Sequence, residues 1–288
     1  MISRRAFLAG GGAVGAAAAA GVVLGEPAWR HDVRQLIHPD PEPLHPVPLT
    51  PQGPVIEGAF PSAAMGAVTG WSIAYPHGMA AGSALPMLLV LHGRGDDHHD
   101  VLGSHRLGVF LSDAVSKGVP PFAVVGVDGG DHSYWHRRAS GQDPQRMIID
   151  ELLPMLARRK LLTSRLALGG WSMGGYGALL LAERLSSPVR AVAVDSPAIW
   201  SHAGESASGA FDSAADFTTH DVLGDARRLA GTPLRVSCGT SDAFIPGVKA
   251  LLRALPGAQA DLGPGGHDLA WWQHAAPPQL AFIGHHLS

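Results

Sequence analysis

Residues 169–185, "GGWSMGGYGALLLAERL", set two glycines, a tryptophan, a serine, a methionine and two more glycines directly before an apolar helical run. Neither a strand end nor a helix start calls for so many residues without a side chain. Upstream, "RLAL" reads as a short buried strand, and downstream "GYGALLLAERL" has helical spacing. The centre is Gly170-Trp171-Ser172-Met173-Gly174, a G-x-S-x-G held between strand and helix, the context in which this pattern presents a reactive serine. Ser172 is expected at the tip of a sharp turn in strained backbone, its hydroxyl standing above the sheet. Glycines two residues either side leave space where a Cβ would collide. Gly175 adds room for the helix to pack on the strand. The Met173 amide, at the helix N-terminus, would face the place where an oxyanion forms.

The rest of the chain repeats this strand-then-helix alternation. Apolar runs rich in Val, Ile and Leu fall at 68–75, 85–91, 122–127, 165–169, 189–194, 234–237 and 258–262. Helical spacing occupies 101–117, 143–160, 175–186 and 245–255. Alternation of this kind builds βαβ units, so an α/β fold is expected, with a mostly parallel central sheet and helices on both faces. Runs such as "MLLVL" suit strands buried on both sides. In such sheets ligands bind beyond the carboxyl ends of the strands, so polar groups just after strands carry the most weight.

At this point the motif "GGWSMGGYGALLLA", preceded by "LVLHGRG", resembles the α/β-hydrolase-fold esterases of the S-formylglutathione hydrolase and mycolyltransferase type, a group that includes feruloyl and enterochelin esterases. The resemblance spans roughly residues 66–288 and implies a serine esterase with little or no cap domain. In that fold the order along the chain is serine, acid, histidine. The base candidate is His267, in a Gly/Pro loop after a late strand in "AQADLGPGGHDLAWW". His274, His285 and His286 lie further on, in the last expected helix. The acid candidate is Asp242, in "SCGTSDAF" after the preceding strand, matching the family's G-x-x-D; its other reading is a helix N-cap. Asp195, ending the strand in "AVAVDSP", is the rival acid. Asp268 stands too close to His267 in sequence to serve it.

The same resemblance implies that the second oxyanion amide comes from the backbone of Arg94, in "LHGRG". His92, Tyr134 and Trp135 are expected to contact substrate, the latter two from the loop at 128–144, with His136 beside them. The "DDHHD" run at 96–100 reads as a solvated loop, because contiguous ligands converge poorly on one ion; no metal and no cofactor is expected. The polar stretch of about 40 residues between the strands ending near 194 and beginning near 234 is too small for a full cap, so a short partial lid over an open, shallow cleft is expected.

Composition narrows the partners. With 288 residues and 46% hydrophobic content, the chain can bury one sizeable core. Net charge is −3 with no long run of one sign, which argues against nucleic acid. The single cysteine, Cys238, cannot form an internal disulfide. At the N-terminus, "SRRAFL" followed by an Ala/Gly-rich run resembles a twin-arginine export signal. Residues 1–25 are therefore read as that signal, recognised by the twin-arginine translocase, with a retained membrane anchor as the alternative. Residues 26–65, rich in proline, read as a spacer or arm reaching roughly 50 Å over residues 38–54 at about 3.1 Å per residue, which allows membrane or wall association through the N-terminus. The expected product is an exported enzyme, periplasmic, envelope-bound or extracellular, acting on small-molecule or lipid esters. Transfer of the acyl group to a sugar hydroxyl and a non-catalytic envelope role on the same fold are the alternatives.

Overall fold

The computed structural model describes residues 46–185 and 189–288; the segment read as an export signal, residues 1–25, and residues 26–45 of the segment read as a spacer or arm lie outside them. Eight strands form one sheet in the order β1-β2-β4-β3-β5-β6-β7-β8. They are β1 (Val55–Ser62), β2 (Ala67–Ala74), β3 (Met87–Leu91), β4 (Ala123–Val127), β5 (Leu166–Trp171), β6 (Val192–Asp195), β7 (Leu234–Gly239) and β8 (Gln259–Gly263). The pairs β1–β2 and β2–β4 are antiparallel and all others are parallel. The expected α/β architecture with a mostly parallel sheet is what is found.

β1 corrects the expected boundary at residue 66. It lies inside the segment read as an arm, yet it pairs with β2 over its whole length, with Pro61 opposite Val68. Pro61 and Gly58 hid it, since both residues speak against a strand. The sheet edge tolerates proline because one side of the strand needs no donor.

Helices cover both faces. They are α1 (His98–Leu102), α2 (Leu107–Ser116), α3, α4 (Met173–Arg184), α5 (Ala214–Thr219), α6 (Ile245–Ala254) and α7 (Leu269–Leu287). α3 runs as α-helical Pro144–Arg146, π-helical Met147–Leu152 and α-helical Leu153–Arg158. Alternate residues of each strand point to opposite faces. Leu89, Leu91, Val125 and Leu168 therefore enter a core with Met147, Ile148, Leu179 and Leu180 from α3 and α4. Leu88, Val90, Val124 and Ala167 enter another with Phe110, Leu111, Leu280 and Ile283 from α2 and α7. Burial of both strand faces explains the uninterrupted apolar runs. Among the described residues no helix is long and apolar enough to cross a membrane.

Candidate active site

Ser172 joins β5 to α4 at φ +54°, ψ −119°. A side-chain residue adopts this conformation only where its surroundings enforce it. The enforcement is visible in the hydrogen bonds. The Ser172 amide donates to Asp195 O at 3.0 Å, and its carbonyl accepts from Tyr176 N and Ala198 N, each at 3.0 Å. The glycines do what their pattern implied. A Cβ on Gly174 would stand 1.8 Å from Leu91 O, and one on Gly170 would stand 2.5 Å from the same oxygen. The turn thus sits against the end of β3, and no side chain fits between.

Two loops beyond the ends of β7 and β8 meet it. Ser172 Oγ–H donates to His267 Nε2 at 2.9 Å, and His267 Nδ1–H donates to Asp242 Oδ2 at 2.8 Å. The other carboxylate oxygen of Asp242 accepts from the Phe244 amide at 2.8 Å. Burial alone would push the Asp242 carboxyl up; hydrogen bonds from His267, Phe244 N and Ser196 outweigh it and hold the group below the ordinary carboxylate range. Asp242 is therefore charged at neutral pH and fixes the orientation of the imidazole. The acid and histidine loops are laced together by Thr240 N to Gly263 O at 2.8 Å and Ser241 N to Gly265 O at 3.0 Å. Gly239 makes this closeness workable, since a Cβ there would meet Gly265 O at 2.3 Å.

The rival acid faces elsewhere. Asp195 accepts from Gln279 Nε2 of α7 at 2.5 Å, and burial pushes its carboxyl well up. Asp268 caps α7, accepting from Trp271 N at 2.9 Å. His285 and His286 lie in the last turn of α7.

The oxyanion candidates occupy the expected elements. Met173 is the first residue of α4, its side chain fully buried. Arg94 is exposed, in a turn that Asp96 N closes onto Gly93 O at 3.3 Å. Trp171 joins this turn to the end of β5 by donating its indole N–H to Asp96 Oδ2 at 2.9 Å. The far face of Trp171 is covered by the His105 ring, stacked at 3.6 Å between centroids. Burial pushes the His105 imidazole down to about 4, so it packs there as a neutral ring.

The three residues expected to contact substrate are all buried in this structure. His92 is buried, and both ring nitrogens are spent: Gly129 N–H donates to Nε2 at 3.0 Å and Nδ1–H donates to Gly93 O at 2.7 Å. It ties the loop after β3 to the loop after β4. Trp135 is a plug beneath the site, fully buried, with its indole N–H on His92 O at 3.2 Å. A Cβ on Gly129 or Gly177 would lie 2.4 Å from its ring atoms or Cβ. Tyr134 is buried too, ringed by Tyr176, Trp200 and Phe211 at centroid distances of 6.1, 5.6 and 6.3 Å. Flanking the His267 imidazole are Phe244 at 5.0 Å and Trp272 at 5.2 Å, both edge-on, with Trp200 touching Phe244 at 5.5 Å. Sequence reasoning missed these aromatics. Position was the available signal, because Phe244 follows Asp242 by two residues and Trp272 follows His267 by five, in the first turn of α7.

The "DDHHD" run corrects likewise. It opens α1, with Asp97 as N-cap accepting from His99 N at 2.7 Å. His98 turns inward to Asp128 at 2.7 Å. The stretch between β6 and β7 holds 3-10 turns at Ala203–Glu205 and Ala226–Leu229 and the short α5. Cavities of about 550 and 390 Å³ border this insertion and the loop after β4, and Ser172 lines neither.

A serine hydroxyl bonded to an imidazole, which is bonded to a buried carboxylate at the rim of a parallel sheet, defines the serine-hydrolase class within the α/β-hydrolase fold. Residues 62–283 match the family model described as "Putative esterase", and the chain belongs to that family of carboxylic ester hydrolases. Among solved structures, a ferulic acid esterase superimposes with TM-score 0.71 at 18% identity, over 82% of this chain and 99% of that one. S-formylglutathione hydrolase from Agrobacterium tumefaciens gives 0.66 at 14% identity, over 81% and 95%. MPT51 of Mycobacterium tuberculosis gives 0.65 at 17% identity, over 82% and 100%. At these identities the likeness is one of fold. No curated protein sequence matches the chain.

Proposed function

We propose that this chain is an exported serine esterase working through an acyl-enzyme on Ser172. The observation that carries the proposal is the unbroken hydrogen-bond series Ser172–His267–Asp242. His267 takes the proton from Ser172 as Oγ attacks the ester carbonyl. The amides of Met173 and Arg94 hold the resulting oxyanion. His267 then protonates the leaving alcohol, and a water activated by the same imidazole releases the acid. Asp242 stays ionised throughout and stabilises the imidazolium. The half-exposed His267 and the aromatic flank of Phe244 and Trp272 favour an ester with an apolar acyl or aryl part, reached from an open surface.

Hydrolysis of short p-nitrophenyl esters tests this. Ser172→Ala should lower kcat by about four to six orders of magnitude with the protein still folded. Activity within tenfold of wild type would reject the proposal. Export rests on "SRRAFL" at residues 3–8 and is tested separately. Replacing Arg4 and Arg5 together by lysine should leave the esterase inside the producing cell, and unchanged export would reject the twin-arginine reading.

A further inference from the structure

Away from Ser172, the side chains of His136, Asp216 and His220 bring ligand atoms within 4.8 Å of one another. Asp216 lies on α5 and His220 caps its C-terminus four residues on, with Nδ1 turned back toward Asp216. His136 comes from the loop after β4. All three are largely buried: the side chain of His136 is 0% exposed, that of His220 9% and that of Asp216 16%. His220 Nδ1 lies 2.9 Å and His136 Nδ1 lies 3.9 Å from Asp216 Oδ1. The other oxygen, Oδ2, is held by Asp212 N at 2.8 Å, which leaves Oδ1 directed at the imidazoles.

With its imidazole neutral, His136 cannot donate to both carbonyls that face its ring nitrogens. Nε2 faces Ala210 O and Nδ1 faces Arg137 O, each at 3.0 Å. Both partners only accept, and a neutral imidazole carries one N–H. One ring nitrogen therefore presents a lone pair to a carbonyl oxygen, with the Asp216 carboxylate nearby. His220 adds a second ring, stacked 4.2 Å away. Burial pushes both imidazoles toward the neutral form. Arg138 adds no spare positive charge, since it is paired with Asp212 at 2.8 Å. The lone pair of a neutral His136 and the Asp216 carboxylate are the groups that a cation between the two rings would satisfy.

We infer that His136, Asp216 and His220 form a binding site for a zinc-class divalent cation that clamps the β6–β7 insertion to the loop after β4. Ligands around a tetrahedral zinc stand roughly 3.4 Å apart, between the 2.9 and 3.9 Å found here. In the loaded site His136 Nδ1 and His220 Nδ1 coordinate as neutral bases; the proton on His220 Nδ1 moves through solvent to Nε2, and Nδ1 gives up its bond to Asp216 O at 2.9 Å. His136 Nε2–H keeps its bond to Ala210 O, the outer-shell arrangement that orients a ligand imidazole. The cavity of about 550 Å³ is lined by Asp216 and His220 and supplies the entry path. The clamp also bears on the aromatic group beside the active site, because His136 stacks on Phe211, which packs against Tyr134 and Trp200.

The test adds cobalt(II), and separately zinc, to the chelator-treated full chain. Cobalt should give visible ligand-field absorption that saturates at one equivalent, and zinc should raise the unfolding midpoint by about 5 °C or more. Asp216→Asn and His220→Gln, each checked for folding by circular dichroism, should weaken cobalt binding about 100-fold. Asp97→Asn, in the other His/Asp group at Asp97, His98 and His99, should change nothing. A wild-type chain with neither absorption nor midpoint shift would overturn the inference, whatever the variants do. Loss of the signal in Asp97→Asn, or its persistence in folded Asp216→Asn and His220→Gln, would also overturn it.

Discussion

Trp171 fills the variable position before Ser172, and nothing in a G-x-S-x-G pattern assigns it work. Its indole nevertheless joins the serine turn to the Gly93–Asp96 turn that carries Arg94. If Arg94 supplies an oxyanion amide, that bond sets the spacing between the two halves of the oxyanion hole. Trp171→Phe keeps the stack on His105 and removes only the bond to Asp96. It should lower kcat about tenfold with KM nearly unchanged, since small misplacements of catalytic groups are costly. Wild-type kcat in this variant would show that Trp171 serves packing alone. At this scale the meeting of Ser172, Asp242 and His267 was legible because order along the chain and position after strands limit the choices. The fates of His92, Tyr134 and Trp135 were not, because whether a polar ring faces a substrate or a backbone amide depends on loops with no period to read.

α4 carries a second kind of cost. Glu183 lies on its buried side, with Oε1 lacking a hydrogen-bond partner. Burial, with Asp225 nearby, pushes its carboxyl up to about 8. In the unfolded chain this group titrates near its ordinary value of about 4.3. A folded value above the unfolded one stabilises most below the lower of the two, and the contribution disappears as pH rises through the upper one. Stability should therefore decline between about pH 4 and pH 8. Glu183→Gln should flatten that decline and add about 1–3 kcal/mol at pH 8. Urea midpoints across pH decide it, and parallel curves for the two proteins would contradict the argument. Seven of the strands sit where apolar runs placed them, whereas the one helix expected at 101–117 is two, His98–Leu102 and Leu107–Ser116. β1 escaped because Pro61 and Gly58 speak against a strand until its place at the sheet edge is known.

At the scale of the molecule, one sheet with apolar packing on both faces carries three loops whose polar ends converge. That convergence was only partly readable. Apolar runs marked the strands, but the lacing of Gly239 against Gly265 that brings Asp242 to His267 depends on contacts across 26 residues. The insertion between β6 and β7 was equally opaque, since its short turns are held by aromatic stacking and side-chain bonds more than by periodicity.

The account depends most on the hydroxyl of Ser172 being made reactive by its two distant partners. Labelling with a fluorophosphonate probe, followed by peptide mapping, reads that property directly. The account predicts stoichiometric modification of Ser172 in the wild-type chain, none in Ser172→Ala, and labelling slowed at least 100-fold in a folded His267→Ala. An unmodified wild-type Ser172, or equally fast labelling without His267, would contradict it.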